Sequence, residues 1–146
     1  MPWTTVRLLD VNVLVHAHRK DSSQHEVCRK TVEDMLASDR AYGMSELVVS
    51  GFLRIVIHPK IFNPPSPLEA ALAFASEVLS PEQAVPIAPG PRHWEIFERL
   101  CRESKVKGNL VTDAYFAALA IESGCEWIST DGDYARFTGL MWRRPV

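Results

Sequence analysis

The order of apolar and polar positions divides the chain into short apolar runs and longer stretches where apolar residues recur every three to four positions. Val6–Leu9, at the start of VRLLDVNVLVHAH, reads as a short inner strand that stops at Asp10. SSQHEVCRKTVEDMLAS sets Val27, Val32, Met35 and Leu36 among charges, a helical period that Ser22 or Ser23 would open. SELVVSGFLRIVI predicts a helix capped by Ser45 and stopped by Pro59, and SPLEAALAFASEVL another, with Ser66 as cap and Pro67 in the first turn. AVPIA is a short strand. GPRHWEIFERLCRES again opens on proline and puts Trp94, Phe97, Leu100 and Cys101 on one face. LVTDAYFAALAIESG is a helix of small residues ending at Gly124, EWIST a strand, DYARF a short helix capped by Asp131 or Asp133, and LMWRRP a last edge strand. Strands separated by helices pair in parallel through right-handed crossovers, which predicts an α/β fold of three layers.

Composition narrows the class. With 146 residues, 47% hydrophobic and 23% charged, the chain has the makings of one globular domain over 1–146 with a substantial core. Its ten prolines lie mostly between periodic segments and read as loop punctuation. Sixteen Lys and Arg against eighteen Asp and Glu leave a formal net charge of −2, so a polyanion would need a local basic patch. Cys28, Cys101 and Cys125 show no CxxC spacing and read as reduced thiols of an intracellular protein, without a zinc site. No apolar run reaches the roughly 18 residues of a membrane span, and no basic-then-apolar leader pattern opens the chain. A cytoplasmic location is expected.

The acids are the candidate chemistry. In open parallel sheets, ligands bind beyond the C-terminal ends of the strands. Asp10 ends the first strand, Asp131 and Asp133 follow EWIST, Asp113 lies in the first turn of a helix, and Glu46 follows Ser45. Singly, each has a structural reading: a cap, a first-turn charge near the helix dipole, an Asp-Gly turn or a solvated side chain. Gathered at one edge, they would hold a hard divalent cation, and such an ion serves phosphodiester cleavage. His16 and His18 read as structural, His25, His58 and His93 lack ligand spacing, and the GxSxG elbow of a serine hydrolase does not occur.

Four segments in order, LLDVNVLVHA, MSELVVSGFLRIV, VTDAYFAALAIESG and WISTDGDYARFTGL, resemble the PIN-domain nucleases, specifically the VapC-like ribonuclease toxins of VapBC toxin–antitoxin pairs. The resemblance covers nearly the whole chain. It implies a PIN-like α/β/α sandwich with a mainly parallel sheet. It also implies Asp10, Glu46, Asp113 and Asp131 as the catalytic acids, with Asp10 and Asp113 as direct ligands of Mg²⁺ (or Mn²⁺). Asn12 and Thr130 match the polar residues that aim the ligands, and Asp133 an acid present in only part of the family. The substrate implied is RNA. The partners implied are a cognate VapB-like antitoxin, seated on the apolar face of LVVSGFLRIVIHPKIF, and a second copy in a homodimer. Arg19, Lys20, Arg54 and Lys60, with Lys105 and Lys107, would hold phosphates around the acids or else form solvated faces.

Other readings stay open: a non-catalytic PIN-like RNA-binding module, and a haloacid-dehalogenase-like phosphatase, which needs a second acid where Asn12 stands. A receiver-like signalling module would need a phosphoacceptor aspartate that AYGMSE does not supply.

Overall fold

A computed structural model of the chain describes residues 5–146. In chain order the elements are β1 (Arg7–Leu9), α1 (Val11–His18), α2 (His25–Ala37), β2 (Tyr42–Met44), α3 (Glu46–Val56), α4 (Leu68–Leu79), β3 (Ala84–Pro86), α5 (His93–Ser104), α6 (Leu110–Ser123), β4 (Glu126–Ile128) and β5 (Trp142–Arg143). A 3₁₀ turn, Gly132–Arg136, separates the last two strands.

Among the described residues the sheet has five strands, all parallel, in the order β3-β2-β1-β4-β5. β1 is central: Leu8 pairs with Gly43 on one side and Trp127 on the other, and Leu8 and Leu9 are completely buried. The strand order runs outward from β1 in both directions, so a crevice opens between β1 and β4 beyond their C-terminal ends. One further bond, Asp10 N–H to the Ile128 carbonyl at 2.9 Å, draws those two ends together. The helices pack in two sets, α1 with α2 and α3 and α3 with α4, then α5 with α6, giving the α/β/α sandwich. On α6, Ala114, Ala117, Ala118 and Ala120 are fully buried, and side chains this small let the helix lie close to its neighbours. Gly124 (φ 70°) ends α6 in the left-handed conformation that glycine tolerates. Among the described residues no helix is long and apolar enough to cross a membrane.

Several predicted boundaries move, each because a side chain finds another partner. α2 begins at His25, not at the serines, because the Ser22 hydroxyl is hydrogen-bonded to His16 Nδ1 and accepts the Gln24 N–H at 3.3 Å. Ser66 does not cap α4. Its hydroxyl meets His18 Nε2 at 3.0 Å and Arg19 Nη1 at 3.1 Å, and Pro67 takes the cap position. On α5 the buried stripe is His93, Ile96, Phe97 and Leu100, whereas Trp94 is 64% exposed. His93 can lie inside because its Nε2 is satisfied by the Tyr115 carbonyl at 2.9 Å. The strand predicted over EWIST stops at Ile128, since Ser129 turns its hydroxyl to Asp10. Ser45 caps α3 as its spacing predicts, accepting the Val48 N–H at 3.5 Å.

Candidate metal centre

Asp10 follows β1 and caps α1. Its Oδ1 accepts the Val11 N–H at 2.7 Å; its Oδ2 accepts the Ser129 hydroxyl at 2.7 Å and Asn12 Nδ2 at 3.1 Å. Only 5% of the residue is exposed. Burial pushes its carboxyl up to about 7, the bonds from Ser129 and Val11 pull the other way, and the charges of Asp113 and Asp131 push it further. A strand end and a helix start thus fix one carboxylate in the crevice.

The other acids arrive from α6 and from the turn after β4. Carboxylate oxygens of Asp113, Asp131 and Asp133 lie within 4.8 Å of one another. Asp131 caps the 3₁₀ turn by accepting the Asp133 N–H at 2.9 Å, and Asp133 pairs with Arg136 at 3.3 Å. Asp113 Oδ1 accepts the Tyr134 hydroxyl at 3.2 Å. Tyr134 is buried, its ring 5.5 Å from Trp127 and 6.0 Å from Phe137, so core packing aims its hydroxyl. Asp113 is pushed up by burial, then by the charges of Asp131 and Asp133, against the Tyr134 bond and Arg136. The Tyr134 phenol is raised by its burial and by the neighbouring carboxylates.

This donor set fits a hard divalent ion. The group is built of carboxylate oxygens, the ligands that Mg²⁺ and Mn²⁺ prefer. Two carboxylates about 5 Å apart repel by roughly 3 kcal/mol at an effective dielectric of about 20, which a bound cation would reverse.

Beside the acids lies a cavity of about 630 Å³, with Asp10, Asp113 and Asp131 in its lining and Val11, Val15, Leu47, Ile55, Ile61 and Phe62 making its apolar part. Leu47 and Ile61 are 45% and 51% exposed.

The remaining predicted residues are placed as follows. Glu46 opens α3 at the end of β2, is exposed, and borders a separate recess of about 420 Å³ with Ile87 and Pro89, outside the acid cluster. Asn12 joins the network twice: Nδ2 donates to Asp10 and to the Ser129 hydroxyl (3.2 Å), and Oδ1 accepts the Thr130 N–H at 3.3 Å. Thr130 contributes backbone, and the hydroxyl that touches Asp10 is that of Ser129. Arg54 lines the cavity; Lys20 and Lys60 are exposed. Arg19 is engaged within the fold, bonded to Asp21 at 2.6 Å and to Ser66, with its guanidinium 4.3 Å over Phe62. His18 is structural, its ring 5.4 Å from Phe52 and 5.2 Å from Phe74.

Ser129 and Tyr134 are absent from the sequence-based set. Ser129 carried a usable signal, a polar residue closing a buried run as Asp10 does; Tyr134 carried none beyond an aromatic beside two acids. Ser129→Ala is expected to weaken Mn²⁺ binding at least about tenfold, as loss of an outer partner of a metal ligand does, while Thr130→Ala leaves it nearly unchanged. Calorimetric titration of both variants checks this.

Comparison with known proteins agrees with the fold. Residues 7–140 match the PIN domain family. Over 138 residues the chain is 39% identical to the protein named ribonuclease VapC25 of Mycobacterium tuberculosis, covering 94% of this chain and 97% of that one. The fold matches that of VapBC2 from Rickettsia felis, solved bound to a DNA fragment from its promoter, with a TM-score of 0.70 and 17% identity over 97% of this chain and 99% of that one. It also matches Mycobacterium tuberculosis VapC20, described as a sarcin-ricin loop cleaving toxin, with a TM-score of 0.65 and 15% identity over 92% and 96% of the two chains.

Proposed function

Because the chain belongs to the PIN-domain family and, within it, to the VapC ribonucleases, we propose that it is a Mg²⁺- or Mn²⁺-dependent endoribonuclease, the toxin of a toxin–antitoxin pair. In this reading 1–146 is one nuclease domain, working in the cytoplasm as a homodimer and restrained by a cognate VapB-like antitoxin. The observation that supports the proposal is the clustering of Asp113, Asp131 and Asp133, two of which, Asp113 and Asp131, line one open cavity with buried Asp10 at the strand switch point.

Asp10 and Asp113 would hold the ion, with Asp131 and Asp133 completing its surroundings. When bound, the ion supplies a Lewis acid that offsets the negative charge gathered in the transition state and makes water a better nucleophile. The chain's residues do the rest. Asn12 and Ser129 hold the Asp10 carboxylate in one orientation, and Tyr134 does the same for Asp113. Asp131, in the cavity lining, would orient the attacking water. Arg54, in the cavity lining, and exposed Lys20 and Lys60 would meet the RNA backbone, most readily in a single-stranded loop. The apolar part of the same cavity suits an antitoxin segment with an apolar face and a basic side chain that reaches the acids.

A mixed RNA pool incubated with Mn²⁺, with EDTA, and beside a phosphatase substrate tests the proposal. Mn²⁺-dependent RNA fragments are the expected result; phosphomonoester hydrolysis without RNA cleavage would favour the phosphatase reading, and neither activity a binding module. At the cavity rim, Leu47→Glu is expected to release the small protein of the adjacent reading frame in a pull-down while RNA cleavage persists. Retention of that partner would place the antitoxin elsewhere.

A further inference from the structure

β5 and the residue after it hold the backbone of the turn that carries Asp131. The Ser129 N–H donates to the Arg143 carbonyl at 3.1 Å, the Trp142 indole N–H donates to the Ser129 carbonyl at 3.2 Å, and Arg144 Nη1 donates to the Thr130 carbonyl. From α1, Asn12 Oδ1 takes the Thr130 N–H, and within the turn the Ser129 hydroxyl takes the Asp131 N–H at 3.0 Å. Every backbone polar group of residues 129 and 130 is therefore engaged, two by α1 and β5 and two by the side chains of Trp142 and Arg144.

The Arg144 contact has its own accommodation. Its guanidinium lies 5.4 Å over the Trp142 ring. A Cβ at Gly132 would come within 3.1 Å of Arg144 Nη2, so glycine at that position leaves room for the guanidinium beside the turn. The two arginines differ in kind: Arg136 pairs directly with Asp133 and bears by its charge on Asp113, whereas Arg144 reaches the turn through the backbone of Thr130.

We propose that Arg144 is a positioning residue of the metal centre: by holding the Thr130 carbonyl against β5, it fixes the turn from which Asp131 and Asp133 project. The proposal rests on the metal-nuclease reading. Without Arg144 the Thr130–Asp131 peptide is held only at the Asp131 N–H, by the Ser129 hydroxyl, and a tilt about that single bond would shift the Asp131 carboxylate relative to Asp113. The loss then appears in the ordering needed to bind an ion, and little in the core.

The test is Mn²⁺ titration by calorimetry, thermal melting in EDTA, and RNA cleavage kinetics on wild type, Arg144→Ala, Arg144→Lys, Gly132→Ala and the double variant. Arg144→Ala is expected to weaken Mn²⁺ binding about tenfold, in the range of other outer partners of metal ligands, with a lower kcat, an unchanged KM and an unchanged melting temperature in EDTA. Arg144→Lys should recover part of the affinity, because an ammonium can still donate to the Thr130 carbonyl. Gly132→Ala should weaken Mn²⁺ binding in the wild-type background and add nothing to Arg144→Ala. If Arg144→Ala does not fold, Gly132→Ala decides alone. Unchanged Mn²⁺ affinity in the variants, with a wild type that binds and cleaves, overturns the proposal and leaves the nuclease reading standing. A raised KM with unchanged metal affinity overturns it by making Arg144 an RNA contact. A wild type that neither binds Mn²⁺ nor cleaves RNA removes the reading and the proposal together.

Discussion

Asp113→Asn is expected to lower metal-dependent RNA cleavage by more than about 100-fold, the upper end of what outer partners contribute, because it removes an oxygen charge from the ligand set itself. The same substitution should make the metal-free protein harder to melt. Asp113 stands among Asp131 and Asp133, and its carboxyl is raised by burial and by both of those charges. Asparagine keeps the shape and can still accept the Tyr134 hydroxyl, so the change removes repulsion and spares that contact. Solvent screens a half-exposed group, so a gain of about 1 kcal/mol is expected, or a few degrees in Tm for a domain of this size. Added Mn²⁺ should then stabilise wild type and do much less for the variant; ten times the dissociation constant contributes about 1.4 kcal/mol to a protein that binds. A variant that melts below wild type in EDTA, with equal responses to Mn²⁺, would make Asp113 a structural first-turn residue.

The second large effect is on pH. Asp10 has its carboxyl pushed from 3.8 to about 7, so between those values the native state holds a proton that the unfolded chain has released. Stability contributed in this way is present at low pH and is lost as pH rises through about 7. Three pH units correspond to about 4 kcal/mol, an upper limit for one group. His16 and His18, both lowered by burial, act with the opposite sign: they resist protonation in the fold and cost stability as pH falls below their ordinary 6.5. The Asp10 contribution is therefore read as a difference. Asp10→Asn in EDTA should gain on wild type as pH rises from 5 to 8, because the histidines cancel in the comparison. Denaturant unfolding at several pH values checks this. A wild-type-minus-variant difference that stays flat with pH would show Asp10 ionised and comfortable in the empty site. With Mn²⁺ present the trend should turn round, since an ion needs the deprotonated carboxylates.

Much of this is legible in the sequence wherever one physical signal dominates. Asp10 interrupts an apolar run, and only a strand end at a switch point gives that carboxylate both burial and partners. α6 showed its small-residue face and its glycine stop. The order of four acid-bearing segments pointed to the PIN family. Less was legible where the decisive partner is remote in sequence. Ser66 looks like a cap until His18 and Arg19 claim its hydroxyl, and Ser22 until His16 does. Trp94 looked like core, but the burial of His93 turns the stripe of α5 by one position, and that burial depends on a carbonyl of α6. β2, with glycine in the middle of three residues, is too short for periodicity to announce. At the site, Ser129 and Thr130 are adjacent, and only the end of β4 at Ile128 decides which hydroxyl faces Asp10. Glu46 shares the sheet edge with the other acids but begins a helix one strand away, beside a different recess.

The most direct measurement of the central claim is the position of Mn²⁺ in crystals of the protein, located by its anomalous scattering at an ion concentration that supports RNA cleavage. A peak is expected in the crevice between β1 and β4, coordinated by the Asp10 and Asp113 carboxylates with Asp131 beside it, and lost in Asp113→Asn. Cleavage in solution with no ion at these carboxylates, or an ion bound only elsewhere, would contradict that claim.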